Sequence, residues 1–132
     1  MKGNKKWWVT ATAWCLLIAM ATRHTGFTGE STGQLLENPL INPDILNYII
    51  RKLVHLAAFG VLAVFFWLAL RGKRYQYTLA WGLATAYGAI DEWHQTFVPG
   101  RDGVFSDVLI NSAGALIALS IVSVINTREE RK

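Results

Sequence analysis

Apolar residues in this chain come in four long runs, and the polar residues gather between them. None of the runs alternates with a period of two, so the strands of a β-barrel are not indicated. A helix rises about 1.5 Å per residue, so roughly 20 residues cross a hydrocarbon core of about 30 Å. The runs approach that length and predict helices over residues 7–22, 43–70, 76–96 and 107–126. Trp7, Trp8, Tyr75 and Tyr77 fall where one membrane boundary would lie, which suits their amphipathic rings. The expected architecture is all-α: one domain over residues 1–132, a membrane-embedded bundle of four transmembrane helices.

The connections have their own chemistry. Residues 23–50 form a long segment whose start, with Gly26, Gly29 and Gly33, reads as loop. Asn42-Pro43-Asp44 then looks like a helix start, with Asn42 as N-cap and Pro43 pre-set for the first turn. Gly60 is the one weak point in the helix that follows. Pro99-Gly100 and Asp102-Gly103 make the connection over residues 97–106 a tight turn. The first run has a rival reading. Lys2, Lys5 and Lys6 precede a short apolar stretch ending Ala19-Met20-Ala21, which imitates a cleavable leader, although the stretch is long for one.

Composition sharpens this picture. Hydrophobic residues make up 52% of the chain and charged residues 17%, against roughly 25% charged in soluble domains. The net charge of +4 does not point to nucleic acid, because the basic residues flank apolar runs and form no stripe. Nine of them (Lys2, Lys5, Lys6, Arg71, Lys73, Arg74, Arg128, Arg131, Lys132) fall on one side of the membrane. Arg23, Arg51, Lys52 and Arg101 fall on the other. By the positive-inside rule both termini are expected in the cytoplasm. The single cysteine, Cys15, lies inside an apolar run and reads as a small buried residue, with neither a disulfide nor a thiolate metal site available.

Depth then singles out a cluster. Counting about 20 residues outward from the inner end of each helix puts His55 about 6 Å below the outer boundary, and Asp91 and Asn111 about 7 Å below it. Lys52, Glu92, His94, Gln95, Arg101 and Asp107 surround that level, closer to the surface. Arg51 and His55, Asp91 and Gln95, and Asp107 and Asn111 are each four apart and so share a face. Gly88 and Gly114 continue two of those faces inward, where small residues let backbones approach. A carboxylate at this depth needs a partner. Arg101 is expected to fold back over Asp91 and Glu92, with Lys52 approaching from the second helix. The bland reading is a charge-compensated plug that fixes helix order, since buried ion pairs alone say little about function.

The run Asp91-Glu92-Trp93-His94-Gln95-Thr96-Phe97-Val98-Pro99-Gly100-Arg101, followed by Asp107, Asn111 and Gly114, resembles the signature of the VanZ-like family. Lys52-Leu53-Val54-His55, with Phe59 and Leu62 after it, is similar to that family's upstream motif, and the likeness covers roughly residues 40–126. The resemblance implies a small, multi-pass protein of the bacterial cell membrane. Its namesake is linked to lowered susceptibility to teicoplanin, a lipid-bearing glycopeptide antibiotic. Members often carry a carboxylate just before the aromatic at Phe59, where this chain has Ala58, a departure that weakens the carry-over of a proton-handling role to the upstream motif.

Three classes of function follow. In the first, Lys52, His55, Asp91, Glu92, Gln95, Arg101, Asp107 and Asn111 bind an amphiphilic envelope ligand, or membrane lipid, without catalysis. The second is an enzyme on a lipid-linked substrate, with Asp91 or Glu92 and His55 or His94 as acid and base and Arg101 and Lys52 holding a phosphate. The third is an ion or proton path, which would want polar residues along the whole axis, whereas the inner halves of the runs are apolar. No nucleophile elbow, P-loop or zincin motif is present. Two histidines on different helices are a weak metal signal, so neither metal nor other cofactor is expected. Four short helices suit a monomer or a homo-oligomer equally.

Overall fold

The computed structural model describes residues 2–23, 43–99 and 105–131. They form four helices: α1 (Lys2–Arg23), α2 (Pro43–Ala69), α3 (Gln76–Gln95) and α4 (Phe105–Glu129). The predicted loop after α1, the Asn42 cap and Arg101 lie outside the described residues.

α1 starts five residues before the apolar run does. Lysine is a good helix former, so the basic stretch continues the helix rather than ending it. The Asn4 side-chain amide donates to the Arg71 carbonyl at 3.2 Å, tying this end to the turn after α2. α2 begins at Pro43, where a missing N–H costs nothing. It ends in a turn through Gly72, whose φ of 88° is left-handed backbone that glycine adopts without strain.

α2 is the hub. It packs against the other three helices, while α1 and α4 do not touch among the described residues. The seam between α2 and α4 is tightest at Gly114, where a Cβ would run into the Leu56 carbonyl, with the Leu56 Cα only 2.9 Å away. The core is built from Phe59, Leu62, Ala63 and Phe66 of α2, Ala80 and Ala84 of α3, Ala115 and Leu119 of α4, and Ala11 and Ile18 of α1. Trp14 fixes α1 on α2 by donating from Nε1 to the Ala58 carbonyl at 3.0 Å. The Tyr87 hydroxyl fixes it on α3 through the Cys15 carbonyl at 2.5 Å.

The outside of the bundle is apolar. Leu16, Leu17 and Met20 of α1, Leu79, Leu83 and Ile90 of α3, and Leu116, Ile117 and Ile121 of α4 are all exposed. Residues Tyr48–Ala69 and Phe105–Glu129 are long and apolar enough to cross a membrane, with mean hydropathy 1.9 and 2.3. α1 and α3 are of similar length, 22 and 20 residues. Threonines dilute the apolarity of α1, and the acidic last turn of α3 dilutes that of α3.

Candidate functional site

Each helix carries one buried stripe, and three of the stripes change character at the same level. On α3 the stripe runs Ala80, Ala84, Gly88, and then Asp91 and Gln95. On α4 it runs in the opposite direction, Leu119, Ala115, Gly114, and then Asn111 and Asp107. On α2, Phe66, Leu62 and Phe59 give way to His55 and Lys52. Residues three and four apart share a helix face, so these spacings deliver the polar side chains to one end of the interior.

Burial there is deep. Asp91 and Glu92 are each 4% exposed, Gln95 5% and Asn111 1%. The Asp91 carboxylate accepts two hydrogen bonds, from the Thr22 hydroxyl to Oδ1 at 3.1 Å and from the Gln95 amide to Oδ2 at 3.1 Å. The same Gln95 nitrogen lies 3.4 Å from Oε1 of Glu92, bridging the two carboxylates. That Glu92 oxygen is 4.0 Å from Nδ1 of His55, an ion pair when the imidazole is protonated. His55 is held in orientation by Phe59, their rings near parallel with centroids 6.4 Å apart.

Lys52 was expected to approach the α3 carboxylates, but its ammonium is paired with Asp107 of α4. The reason is geometric. The α2–α4 seam is closed down by Gly60 and Gly114, so the nearest acid to Lys52 lies on α4. The same ammonium lies 5.0 Å from the centre of the Tyr48 ring, a cation–π contact.

Of the four acid–base candidates, Asp91, Glu92 and His55 come together. His94 does not: it is exposed and stacked on Trp93, with ring centroids 5.9 Å apart. Thr22 is the participant the sequence reading missed. It continues the buried α1 stripe of Ala11 and Ile18 at helical spacing, a signal hidden by its position at the end of the apolar run.

Asn111 stands out within the cluster. Its amide is buried beside the His55 imidazole, with which it interacts, and neither amide atom makes a hydrogen bond of good geometry among the described residues. A buried polar group left unsatisfied costs about 1–3 kcal/mol. Asn111 lies against Gly88, where a Cβ would come within 3.3 Å of its own Cβ and of the Phe59 ring. Gly88 therefore gives Asn111 its room. Among the described residues, no three His, Cys, Asp or Glu side chains converge as metal ligands.

A small helical bundle that turns aliphatic side chains outward and buries carboxylates at one end is the layout of an integral membrane protein. The chain belongs to the VanZ/LLP1 family, whose profile matches residues 6–126 and so takes in α1 as well as the polar cluster. No curated protein and no solved structure matches it.

Proposed function

We propose that this is a four-pass protein of the bacterial cell membrane, with both ends cytoplasmic, that engages the polar head of an envelope amphiphile at the cluster in the outer leaflet. One observation carries this reading. All four helices contribute a polar side chain to a single cluster, in which Asp91, Glu92, Gln95 and Asn111 are each 5% exposed or less. A plug that only fixed helix order would gain nothing from desolvating two neighbouring carboxylates, whereas ionisable residues within a membrane bundle mark functional sites. The exposed aliphatic residues on α1 and α3 support membrane passage for these two helices too. Capture of an amphiphile, or a resulting change in the envelope, would account for lowered susceptibility to a lipoglycopeptide such as teicoplanin.

A membrane-embedded enzyme is the second reading, favoured by Asp91 held between Thr22 and Gln95 and by the approach of His55 to Glu92. It would act on a lipid-linked or phosphate-bearing substrate with Asp91, Glu92 and His55 in acid–base roles. An ion or proton path is disfavoured by Phe59, Leu62, Phe66 and Leu119, which fill the axis below the cluster.

The experiment compares a deletion strain with its complemented parent for lipoglycopeptide tolerance and envelope lipid profile. In the same cells, single cysteines at Gly29 and Gly72 are labelled after Cys15 is replaced. The reading expects a changed tolerance or lipid profile, with Gly29 reached from outside and Gly72 protected. The reverse labelling pattern would invert the topology and move the cluster to the inner leaflet.

A further inference from the structure

A second feature lies at the opposite end of the bundle from the cluster. Between α3 and α4 runs an open groove of about 600 Å³, lined by Tyr77, Thr78, Trp81, Leu119, Ser120 and Ser123 among others. Its far end is closed by Trp81, whose indole N–H is 3.1 Å from the Ser112 hydroxyl oxygen and 3.3 Å from the Ser112 carbonyl. The volume falls within the usual range of small-ligand sites, about 300–1,000 Å³. Its α4 wall extends from Leu116 to Val124, roughly 12 Å of helix, close to the depth of one leaflet of a core about 30 Å thick.

The lining and the mouth differ in chemistry. Aliphatic residues such as Leu116 and Leu119 line the deeper part, and the Ser120 hydroxyl donates to the Leu116 carbonyl at 2.8 Å. Tyr77, Thr78 and Ser123 are the hydroxyl-bearing residues nearer the mouth. Lys73 and Arg74 sit in the turn that leads into α3, four and three residues before Tyr77, and both are exposed, with the Arg74 guanidinium over the Tyr75 ring at 5.3 Å. Arg128 lies one helical turn beyond Val124 on the same face of α4 and is also exposed. Glu129 ends α4 and Glu130 lies in the turn after it, so these two acids offset part of the charge of Lys73, Arg74 and Arg128. A further groove, between α2 and α4, is lined by Leu56, Gly60, Phe65, Gly114, Ile117 and Ile121 among others and offers no hydroxyl.

We propose that the α3–α4 groove binds one anionic phospholipid from the leaflet at this end. An acyl chain lies along Leu116 and Leu119, the ester groups meet the hydroxyls, and the phosphate is held by Arg74 and Arg128. Charge selects the occupant. A second copy of the chain would bring the same cations to the same place, whereas a phosphate complements them. This site is separate from the polar cluster and does not depend on the function proposed for it.

The test reconstitutes the full-length protein in vesicles of equal parts phosphatidylcholine and phosphatidylglycerol and counts retained lipids by native mass spectrometry. Phosphatidylglycerol should be retained in preference. The double variant Arg74→Gln/Arg128→Gln should lower its retention by roughly five-fold for each charge removed. Ser123→Phe, which fills the groove, should lower retention of both lipids. Lys5→Gln/Lys6→Gln removes equal charge at the same end, from a helix that does not touch α4. It should leave retention unchanged. The proposal is overturned by equal retention of the two lipids, by parental retention in the Ser123→Phe or arginine variants, or by a lysine variant that loses as much as the arginine one. The last result would reduce the effect to diffuse attraction.

Discussion

The two halves of this bundle are held together by different physics. In the half around Phe59, Leu62, Phe66, Ala84 and Leu119, helices meet mainly through packed apolar side chains, with single hydrogen bonds from Trp14 and Tyr87 to backbone carbonyls between them. Lipid tails are as apolar as these side chains, so cohesion there comes from close packing rather than from escape from water. In the other half, Thr22, Lys52, Asp91, Glu92, Gln95 and Asp107 are joined by hydrogen bonds and an ion pair. The comparison teaches that fold and chemistry are separated along the axis. Packing sets the distances between helices, and the polar end sits on a frame that does not depend on it.

The separation can be broken most severely at Gly114. An added methyl meets the Leu56 backbone, which cannot turn aside as a side chain can. Gly114→Ala should cost about 3 kcal/mol or more, the upper end for overpacking. Gly60→Ala meets the Ala118 Cβ and the Gly114 carbonyl at 3.2 Å and should cost about 1 kcal/mol. Thermal melting in detergent separates the two. Equal stability of Gly114→Ala and its parent would mean that the α2–α4 seam is not what sets the frame.

The next effect in size is at the ion pair. The Lys52 and Asp107 side chains are 20% and 12% exposed, between the buried and the solvated regimes. Lys52→Ala should therefore cost about 2 kcal/mol, between the 3–5 of a desolvated pair and the 0–1 of an exposed one. A loss of the upper size would make the polar end part of the frame after all. Smaller still is Thr22→Val, which keeps shape and removes one hydrogen bond to Asp91. Hydrogen bonds between membrane helices average about 0.6 kcal/mol, so its melting point should hardly move. Any loss of function in it would then report on how Asp91 is positioned.

How much of this could be read in the sequence follows from the same division. Four apolar runs and the spacing of Asp91–Gln95 and Asp107–Asn111 lead to the helices and to the level of the cluster, because period and depth are local properties. What the spacing could not supply was partnership across helices. Lys52 goes to Asp107 because two glycines close the α2–α4 seam, and His94 turns outward because it lies off the Asp91–Gln95 face. Thr22 joins because α1 packs along α3, a tertiary fact with no signature within α1 beyond its spacing from Ile18.

The central claim is that the polar end is a site and not a plug, and Asp91→Asn tests it most directly. The substitution keeps the shape of the side chain and removes the charge. Its oxygen can still accept from Gln95, and its amide nitrogen can donate to the Thr22 hydroxyl, which then donates to the Ala19 carbonyl. Because a buried carboxylate is costly to desolvate, the variant should melt at or above the parent temperature. Complementation of the deletion strain, scored with membrane abundance and melting temperature, gives the answer. The account predicts a folded, inserted protein that fails to restore the envelope phenotype. Full complementation by an equally abundant Asp91→Asn protein would contradict it and leave Asp91 a structural residue.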